Sequence, residues 1–189
     1  MISTKKIKIV GIITTICLGI SLAMLTNLPS KFIEKPPIEL TSSALFPEMN
    51  LDTLSTEANY IIIGKIQKQL PAKLEKDKNG DMYVYTDYEV KVEKELKNPL
   101  INPGQTIILS KLGGSAEGYN MTVYDTAKVD IGERLLLFVH QDKNGRNWII
   151  GGDQGKYSLI DGKALNKDTL KSTTEEDLVN KIKLKLGKQ

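Results

Sequence analysis

The sequence predicts a mainly β protein: a small barrel or sandwich of about six to eight strands, with an apolar helix at the N-terminus and a short helix at the C-terminus. Three observations support this class. Short runs rich in isoleucine, valine and tyrosine recur along the chain, and turn-forming residues separate them. A helical spacing of apolar residues outside the N-terminal stretch is confined to the C-terminal end.

The N-terminus has the pattern of an export signal. Three lysines precede a stretch from Ile9 to Ser30 that contains no charged residue. A short basic segment followed by an apolar run is typical of a secretory signal, but a run of about 20 residues also spans a bilayer as a helix. Residues 1–28 are therefore predicted to be either a cleaved signal peptide or a membrane anchor in which residues 9–28 lie in the bilayer. In both cases the rest of the chain is expected to be extracytoplasmic.

The single cysteine, Cys17, lies inside this apolar run. The β-branched Ile16 before it does not fit the small residue that a bacterial lipoprotein signal requires. A thiol facing lipid also lacks the cationic neighbours that would make it reactive. The rest of the chain has no cysteine, which excludes disulfides and thiolate metal sites. An export signal with abundant lysine and no disulfides indicates a bacterial cell-envelope or secreted protein.

Beyond the leader, we predict an extended linker at 29–47 and one β-rich domain at 48–189. The linker holds four of the prolines, and the remaining length is that of one domain. The chain has 26 basic and 23 acidic residues, and the leader lysines account for the excess. The exported part is therefore formally neutral, so it lacks the basic footprint of a nucleic-acid-binding protein.

Strands are predicted in order along the domain. They lie at 59–70, 81–96, 105–112, 133–141, 147–152 and 156–160. Gly64 inside the first run indicates a bulge or sharp bend, and the run at 133–141 is apolar on both faces, so it is predicted to be central. Asp161-Gly162 predicts a tight hairpin turn.

The strand at 81–96 alternates clearly, which predicts one buried and one solvated face. The buried face is predicted to hold Val84, Thr86, Tyr88, Val90 and Val92. The opposite face carries Tyr85, Asp87, Glu89, Lys91 and Glu93. Because the carboxylates share that face with a lysine, we expect a solvated surface there.

The tetrapeptide DKNG occurs at 77–80 and again at 142–145. Its oxygen-bearing side chains suggest calcium, but a calcium loop with Gly80 at its sixth position would need a closing glutamate where Thr86 stands. Both copies lie between predicted strands, and Asn-Gly is a strong hairpin signal. We therefore predict hairpin turns.

The C-terminal segment is predicted to form a helix, although its Lys-apolar alternation also permits a strand. Thr173 with Glu176 three residues later matches a capping box. Acidic residues open the segment and lysines close it, as the helix dipole favours. The apolar face is predicted to hold Leu178, Val179, Ile182 and Leu186.

No residue is assigned a catalytic or metal-ligating role, and no cofactor is expected. His140 is the only histidine and is predicted to lie at the surface, while Trp148 is expected in the core. GGSAEG at 113–118 lacks the second glycine of a nucleophile elbow, since Glu117 stands in its place. We predict instead a mobile loop at 113–125 that forms a contact surface. The candidate binding residues are Ser115, Glu117, Tyr119, Asn120, Tyr124 and Asp125.

The order and pattern of four segments resemble the N-terminal modules of tissue inhibitors of metalloproteinases and related netrin-like domains. These segments are EANYIIIGKIQKQL, YTDYEVKVEKELKN, GQTIILSKLGG and IGERLLLFVH, within 57–160. They also resemble small exported bacterial proteins of unassigned role. The resemblance implies an OB-type barrel with helices packed outside. Those inhibitors present an N-terminal cysteine to the protease zinc and are held by disulfides. This chain has neither feature, so no functional residue is carried over.

The function predicted from the sequence is that of an exported binding module with a protein partner in the envelope or outside the cell. Two alternatives stay open. One is a cell-wall hydrolase that works with carboxylates alone, which would need two carboxyl groups converging on a cleft. The other is a structural subunit of an assembly anchored by the N-terminal helix.

Overall fold

The structure, a computed structural model, describes residues 35–43, 45–98, 102–167 and 170–187. The predicted leader at 1–28, with Cys17, lies outside the described residues. In the described ranges the strands are β1 (Ile38–Ser43), β2 (Tyr60–Gln69), β3 (Lys73–Lys76), β4 (Met82–Lys97), β5 (Thr106–Leu112), β6 (Gly114–Ala116), β7 (Tyr119–Tyr124), β8 (Arg134–Gln141), β9 (Asn147–Ile149), β10 (Lys156–Ile160), β11 (Lys163–Asn166) and β12 (Lys171–Thr174). The α-helices are α1 (Leu51–Glu57) and α2 (Glu175–Leu186), and a 3-10 turn spans Gly152–Gly155.

Five strands close into a barrel in the order β8-β2-β4-β5-β9, because β9 pairs back onto β8. All neighbours are antiparallel except β5 and β9, which are parallel. When the five strands are numbered in chain order and the closed barrel is read from β2, the order is first, second, third, fifth and fourth, which is that of an OB-type Greek-key barrel. The prediction of a mainly β fold with a small barrel and a short C-terminal helix is confirmed.

Two apolar layers lie on opposite faces of β2 and β8. The layer inside the barrel consists of Ile62, Ile66, Tyr88, Val90, Val92, Leu109, Val129, Leu135, Leu137 and Val139. The layer under the helices consists of Leu54, Ala58, Ile61, Ile63, Leu136, Phe138, Leu159, Ala164, Leu178, Val179 and Ile182. Successive residues of β2 and β8 enter alternate layers, so both strands are buried on both faces. This explains their unbroken apolar sequence and confirms that 133–141 is a central strand.

The alternation predicted for β4 is only half right. The face from Val84 to Val92 is buried as predicted. On the other face Lys91 and Glu93 are exposed, but Tyr85 and Asp87 are only 3% and 5% exposed. The prediction of a fully solvated face is wrong at this end because Arg146 and Trp148 lie against the Tyr85 ring. Asp87 is enclosed by its hydrogen bonds to Lys73 and Ser110.

Two local backbone predictions are confirmed. The pairing register between β2 and β4 shifts between Ile63 and Gly64, which is the predicted bulge. A Cβ on Gly64 would lie 2.8 Å from the Lys91 carbonyl oxygen, so the close approach of the two strands requires a glycine. Asp161 and Gly162 form the turn between β10 and β11, which pair from Ile160 to Lys163.

Helix α2 forms where predicted, but it begins one residue later. The N-cap is Thr174, whose side chain accepts a hydrogen bond from the Asp177 N–H at 3.1 Å. Thr173 cannot cap the helix because it is paired with Ala164 in the β11–β12 ladder. The predicted apolar face is confirmed, since Leu178, Val179 and Ile182 are buried and Leu186 packs against the same layer.

A second sheet has the order β1-β7-β6. Its strand β1 lies in the segment predicted to be a linker. It is extended, and it pairs in parallel with β7 over its whole length, from Ile38 opposite Tyr119 to Ser43 opposite Tyr124. This part of the linker is therefore hydrogen-bonded to the domain.

Candidate functional site

The segment predicted to be a mobile loop at 113–125 is a β-hairpin, so that prediction is wrong. Strands β6 and β7 pair antiparallel, and Glu117 and Gly118 form the turn between them. Gly113 and Gly114 have positive φ, and a Cβ on Gly114 would lie 2.5 Å from the Thr86 hydroxyl oxygen. These glycines allow the chain to turn and approach β4 closely, which accounts for their clustering.

The hairpin presents an inner and an outer face, because side chains alternate along a strand. On the inner face Met121 Sδ accepts a hydrogen bond from the Val84 N–H of β4 at 3.2 Å. The outer face of the small sheet is defined by seven residues from its three strands. They are Glu39, Thr41, Ser43, Ser115, Asn120, Thr122 and Tyr124.

The predicted binding residues divide between these faces. Ser115 Oγ donates to Asn120 Oδ1 at 2.8 Å, and the Asn120 amide donates to Glu39 at 2.9 Å, so these side chains form one polar chain across the outer face. Tyr124 lies on the same face and is 59% exposed. The structure does not bring Tyr119 to this group, since it lies an odd number of residues away and is half-buried on the inner face.

The two remaining candidates occupy turns at opposite ends of β7. Glu117 is exposed in the hairpin turn with a positive φ of 51°. Asp125 follows β7, also with positive φ, and accepts a hydrogen bond from the Ser43 hydroxyl at 3.2 Å. This bond fixes the end of β1 beside Tyr124.

Strand β1 leaves one edge open, because no described strand pairs with it on the side away from β7. The Ile38 N–H donates to the Gly118 carbonyl at 2.8 Å. Backbone N–H groups alternate between the two edges of a strand, so those of Glu39, Thr41 and Ser43 face the open edge. Glu39 is the one charged residue of β1, and its carboxylate bonds Asn120 of β7.

Both DKNG copies form hairpin turns, as predicted. The turn at 77–80 joins β3 to β4, and the turn at 142–145 joins β8 to β9. The first residue of each turn accepts two backbone hydrogen bonds through Oδ1. Asp77 accepts from the N–H groups of Asn79 and Asp81. Asp142 accepts from those of Asn144 and Arg146. These carboxylates therefore stabilise turns. No group of three or more residues suited to hold a metal ion occurs among the described residues.

Four residues beside these turns form what we call the turn-bridging cluster: Glu75, Tyr83, Tyr85 and Arg146. The guanidinium donates to Glu75 at 2.5 Å and to the Tyr83 hydroxyl at 3.2 Å, and it lies 4.2 Å from the centre of the Tyr85 ring. Both tyrosine hydroxyls donate to Glu75 at 2.7 Å. These hydrogen bonds lower the Glu75 pKa to about 2, while burial and the bond to Glu75 raise the Tyr85 pKa to about 12.

The cluster continues into Asp87, a buried carboxylate that the strand pattern predicted to face solvent. Asp87 accepts hydrogen bonds from the Ser110 hydroxyl at 2.6 Å and from the Lys73 ammonium at 2.8 Å. The available signal was the hydrogen-bonding serine in the middle of the apolar run at 105–112. Its position opposite Asp87 is set by the register between β4 and β5, which the sequence alone does not give.

Trp148 is half-buried and belongs to neither apolar layer, so its predicted place in the core is wrong. Strand β9 is only three residues long and closes the barrel at its end. The indole N–H donates to Asp142 at 3.1 Å, and Trp148 is one of the residues that line a cavity of about 220 Å³. His140 is exposed at the end of β8, as predicted.

No protein-family model matches the chain, and no curated protein has significant similarity to it. The resemblance to netrin-like domains stays a prediction. Within the described part of the chain, no helix is both long enough and apolar enough to cross a membrane.

Proposed function

We propose that the chain is an exported bacterial cell-envelope or secreted binding module, and that it holds a protein partner without catalysing a reaction. The observation that carries the proposal is the open edge of β1. Six residues of extended backbone are exposed there along nearly their whole length, beside the outer face of the small sheet.

An open edge recruits a further strand because its unpaired N–H and carbonyl groups are a template for pairing. Edges that must not pair carry lysine, proline or a bulge. Strand β1 contains none of these, and the carboxylate of Glu39 is bound to the neighbouring strand. The edge therefore lacks the usual protection against an added strand.

The outer face supplies side-chain contacts beside this edge. Tyr124 is exposed there, and tyrosine is among the residues that contribute most to protein interfaces. The hydrogen-bonded chain from Ser115 through Asn120 to Glu39 holds polar groups in fixed positions beside the edge. Backbone pairing would give affinity, and Tyr124 with these polar groups would give specificity.

The hydrolase alternative needs a carboxyl group whose pKa is raised, so that it can donate a proton. The described carboxyl groups with a shifted pKa all have it lowered, because hydrogen bonds and neighbouring cations outweigh burial. They are Glu75, Glu133, Asp142 and Glu175. The subunit alternative depends on the N-terminal segment, which lies outside the described residues.

The test is capture of partners by the full chain with a C-terminal tag, from envelope and secreted fractions of its own organism. The decisive variant is Thr41→Pro. It removes an N–H that faces the open edge and leaves the β1–β7 hydrogen bonds intact. Thr41→Val is the matched control, because it keeps the N–H and the size of the side chain.

We expect one protein to be enriched by the native chain and by Thr41→Val, and to be lost with Thr41→Pro. Equal capture by both variants would refute strand addition at β1. Recovery of a stoichiometric membrane complex, regardless of the variant, would favour the structural-subunit alternative. If nothing is captured by the native chain, the protein-binding proposal fails.

A further inference from the structure

A cavity of about 220 Å³ is lined by the aromatic rings of Phe46 and Trp148. Its other lining residues are Ser110, Lys111, Leu112, Thr126, Ala127, Ile149 and Gly152. Phe46 packs against Gly152, where a Cβ would come within 2.9 Å of the Phe46 ring. Most of the lining is apolar, and it comes from β5 and β9, from the segments that follow β1 and β7, and from the 3-10 turn.

The volume of the cavity limits what can enter it. An apolar cavity of about 150 Å³ holds a benzene molecule, whereas pockets for drug-sized ligands measure about 300–1,000 Å³. The present cavity lies between these values. Its occupant would thus be one ring, or a branched aliphatic group, with a short substituent.

The polar groups of the lining indicate which substituent a ligand in the cavity would carry. The Ser110 hydroxyl donates to Asp87, and the Thr126 hydroxyl donates to the Val123 carbonyl at 3.3 Å. Lys111 is half-buried, and its side chain makes no hydrogen bond or ion pair with the described residues. Its ammonium is therefore the donor that remains for a ligand.

Burial of the Lys111 side chain favours an anion beside it. Burial is the largest influence on the Lys111 pKa and lowers it; the negative charge of Asp153 raises this pKa, and the positive charges of Lys128 and Lys156 lower it. Lys156 already pairs with Glu133 at 3.2 Å. An anion beside Lys111 would offset the cost of burying its positive charge.

We propose that the cavity binds a small carboxylate with a single-ring apolar body, which lies between Phe46 and Trp148 while its carboxylate pairs with the Lys111 ammonium. This site shares no residue with the open edge of β1, so it does not depend on the protein-binding function. Apolar burial would give affinity, and the ion pair would select carboxylates over neutral compounds of the same shape.

The test is a titration of the full-length chain with 3-phenylpropionate, followed by the fluorescence of Trp148, the only tryptophan. We expect a saturable change with a Kd of about 1 mM or below, as suits a ligand of this size. The neutral analogue 3-phenylpropanamide should bind at least tenfold more weakly. Methyl NMR should place the largest shift changes at Ala127 and Leu112, which line the cavity.

Lys111→Met is the decisive variant, since it removes the charge and keeps an unbranched side chain that suits a half-buried position. It should bind the acid and the amide equally, at least tenfold more weakly than the native chain binds the acid. Lys163→Met, at an exposed lysine of β11, is the matched control and should bind as the native chain does. The proposal would be overturned if the native chain showed no saturation or bound acid and amide equally. It would also be overturned if Lys111→Met bound the acid as the native chain does, or if the shift changes lay away from the cavity.

Discussion

The guanidinium of Arg146 donates to the carboxylate of Glu75 at 2.5 Å, although the two residues are 71 positions apart in the chain. This ion pair joins the turn between β3 and β4 to the turn between β8 and β9. The hydroxyls of Tyr83 and Tyr85, both in β4, donate to the same carboxylate. The relative position of the two turns is thus held by polar side chains in addition to the barrel ladders.

The Glu75 carboxyl should make stability depend on pH. Hydrogen bonds from Arg146, Tyr85 and Tyr83 lower its pKa from 4.5 to about 2. A pKa lowered by folding means that the stabilisation is complete above pH 4.5 and is lost as the pH falls through 2. Because the Glu75 side chain is 35% exposed, solvent screening reduces the effect, and we expect a contribution of about 1 kcal/mol.

Glu75→Gln should therefore lower the free energy of unfolding at pH 7 by about 1 kcal/mol, and the difference from the native chain should vanish near pH 2. Urea unfolding at a series of pH values measures it. Glu117→Gln, at an exposed turn residue, is the control, with an expected change below about 0.5 kcal/mol. A difference between Glu75→Gln and the native chain that stays constant down to pH 2 would contradict the assignment.

Replacing only one partner of the Lys156–Glu133 pair should lower the free energy of unfolding strongly. The Lys156 side chain is 2% exposed, and its ammonium also donates to the Lys128 carbonyl. Lys156→Met leaves the Glu133 carboxylate without its cation, and we expect a loss of about 3 kcal/mol. The double variant Lys156→Met/Glu133→Gln should recover more than half of that loss, because the amide can still accept from Ser158. Urea unfolding of the native chain, the single variants Lys156→Met and Glu133→Gln, and the double variant measures the coupling. Additive losses would contradict it.

Gly64→Ala should destabilise the barrel through crowding in the bulge. The new Cβ would lie 2.8 Å from both the Lys91 carbonyl oxygen and Val90 Cγ1. Relieving this overlap requires β2 and β4 to separate, and we expect a cost of about 1–3 kcal/mol in thermal or urea unfolding. Gly187→Ala is the control, since its Cβ would lie 3.4 Å from the nearest atom; a similar loss there would refute the explanation by crowding.

The two tyrosines of β7 should respond differently to truncation. Tyr124→Ala should weaken partner binding by more than about 1 kcal/mol, because aromatic side chains dominate interfaces, and should leave the melting temperature nearly unchanged. Tyr119→Ala should lower stability by about 1 kcal/mol, since this side chain is half-buried on the inner face. Affinity for the captured partner and the melting temperature of each variant measure the two effects. Unchanged affinity with Tyr124→Ala would remove the outer face from the contact surface.

Much of the fold was predictable because its signals are local. The isoleucine and leucine runs of β2 and β8, the Asn-Gly turns and the apolar face of α2 each follow from residues close together in sequence. The candidate site was less predictable. Ser115, Asn120 and Tyr124 do share a face, but the register that separates Tyr119 from them depends on where the hairpin turns. The close approach of Gly114 to Thr86 could not be predicted from the glycine pair at 113 and 114, because Thr86 is distant in the chain.

The sequence by itself determined the β class, the strands β2, β4, β5, β8, β9 and β10, the central position of β8 and the C-terminal helix, because periodicity and turn chemistry act over a few residues. Only the tertiary structure decided which segments meet. It placed β1 on β7, Arg146 on Glu75, Ser110 on Asp87 and Trp148 at the wall of a cavity. Strand pairing brings together residues far apart in the chain, and the alternation within one strand carries no information about the register of its partner.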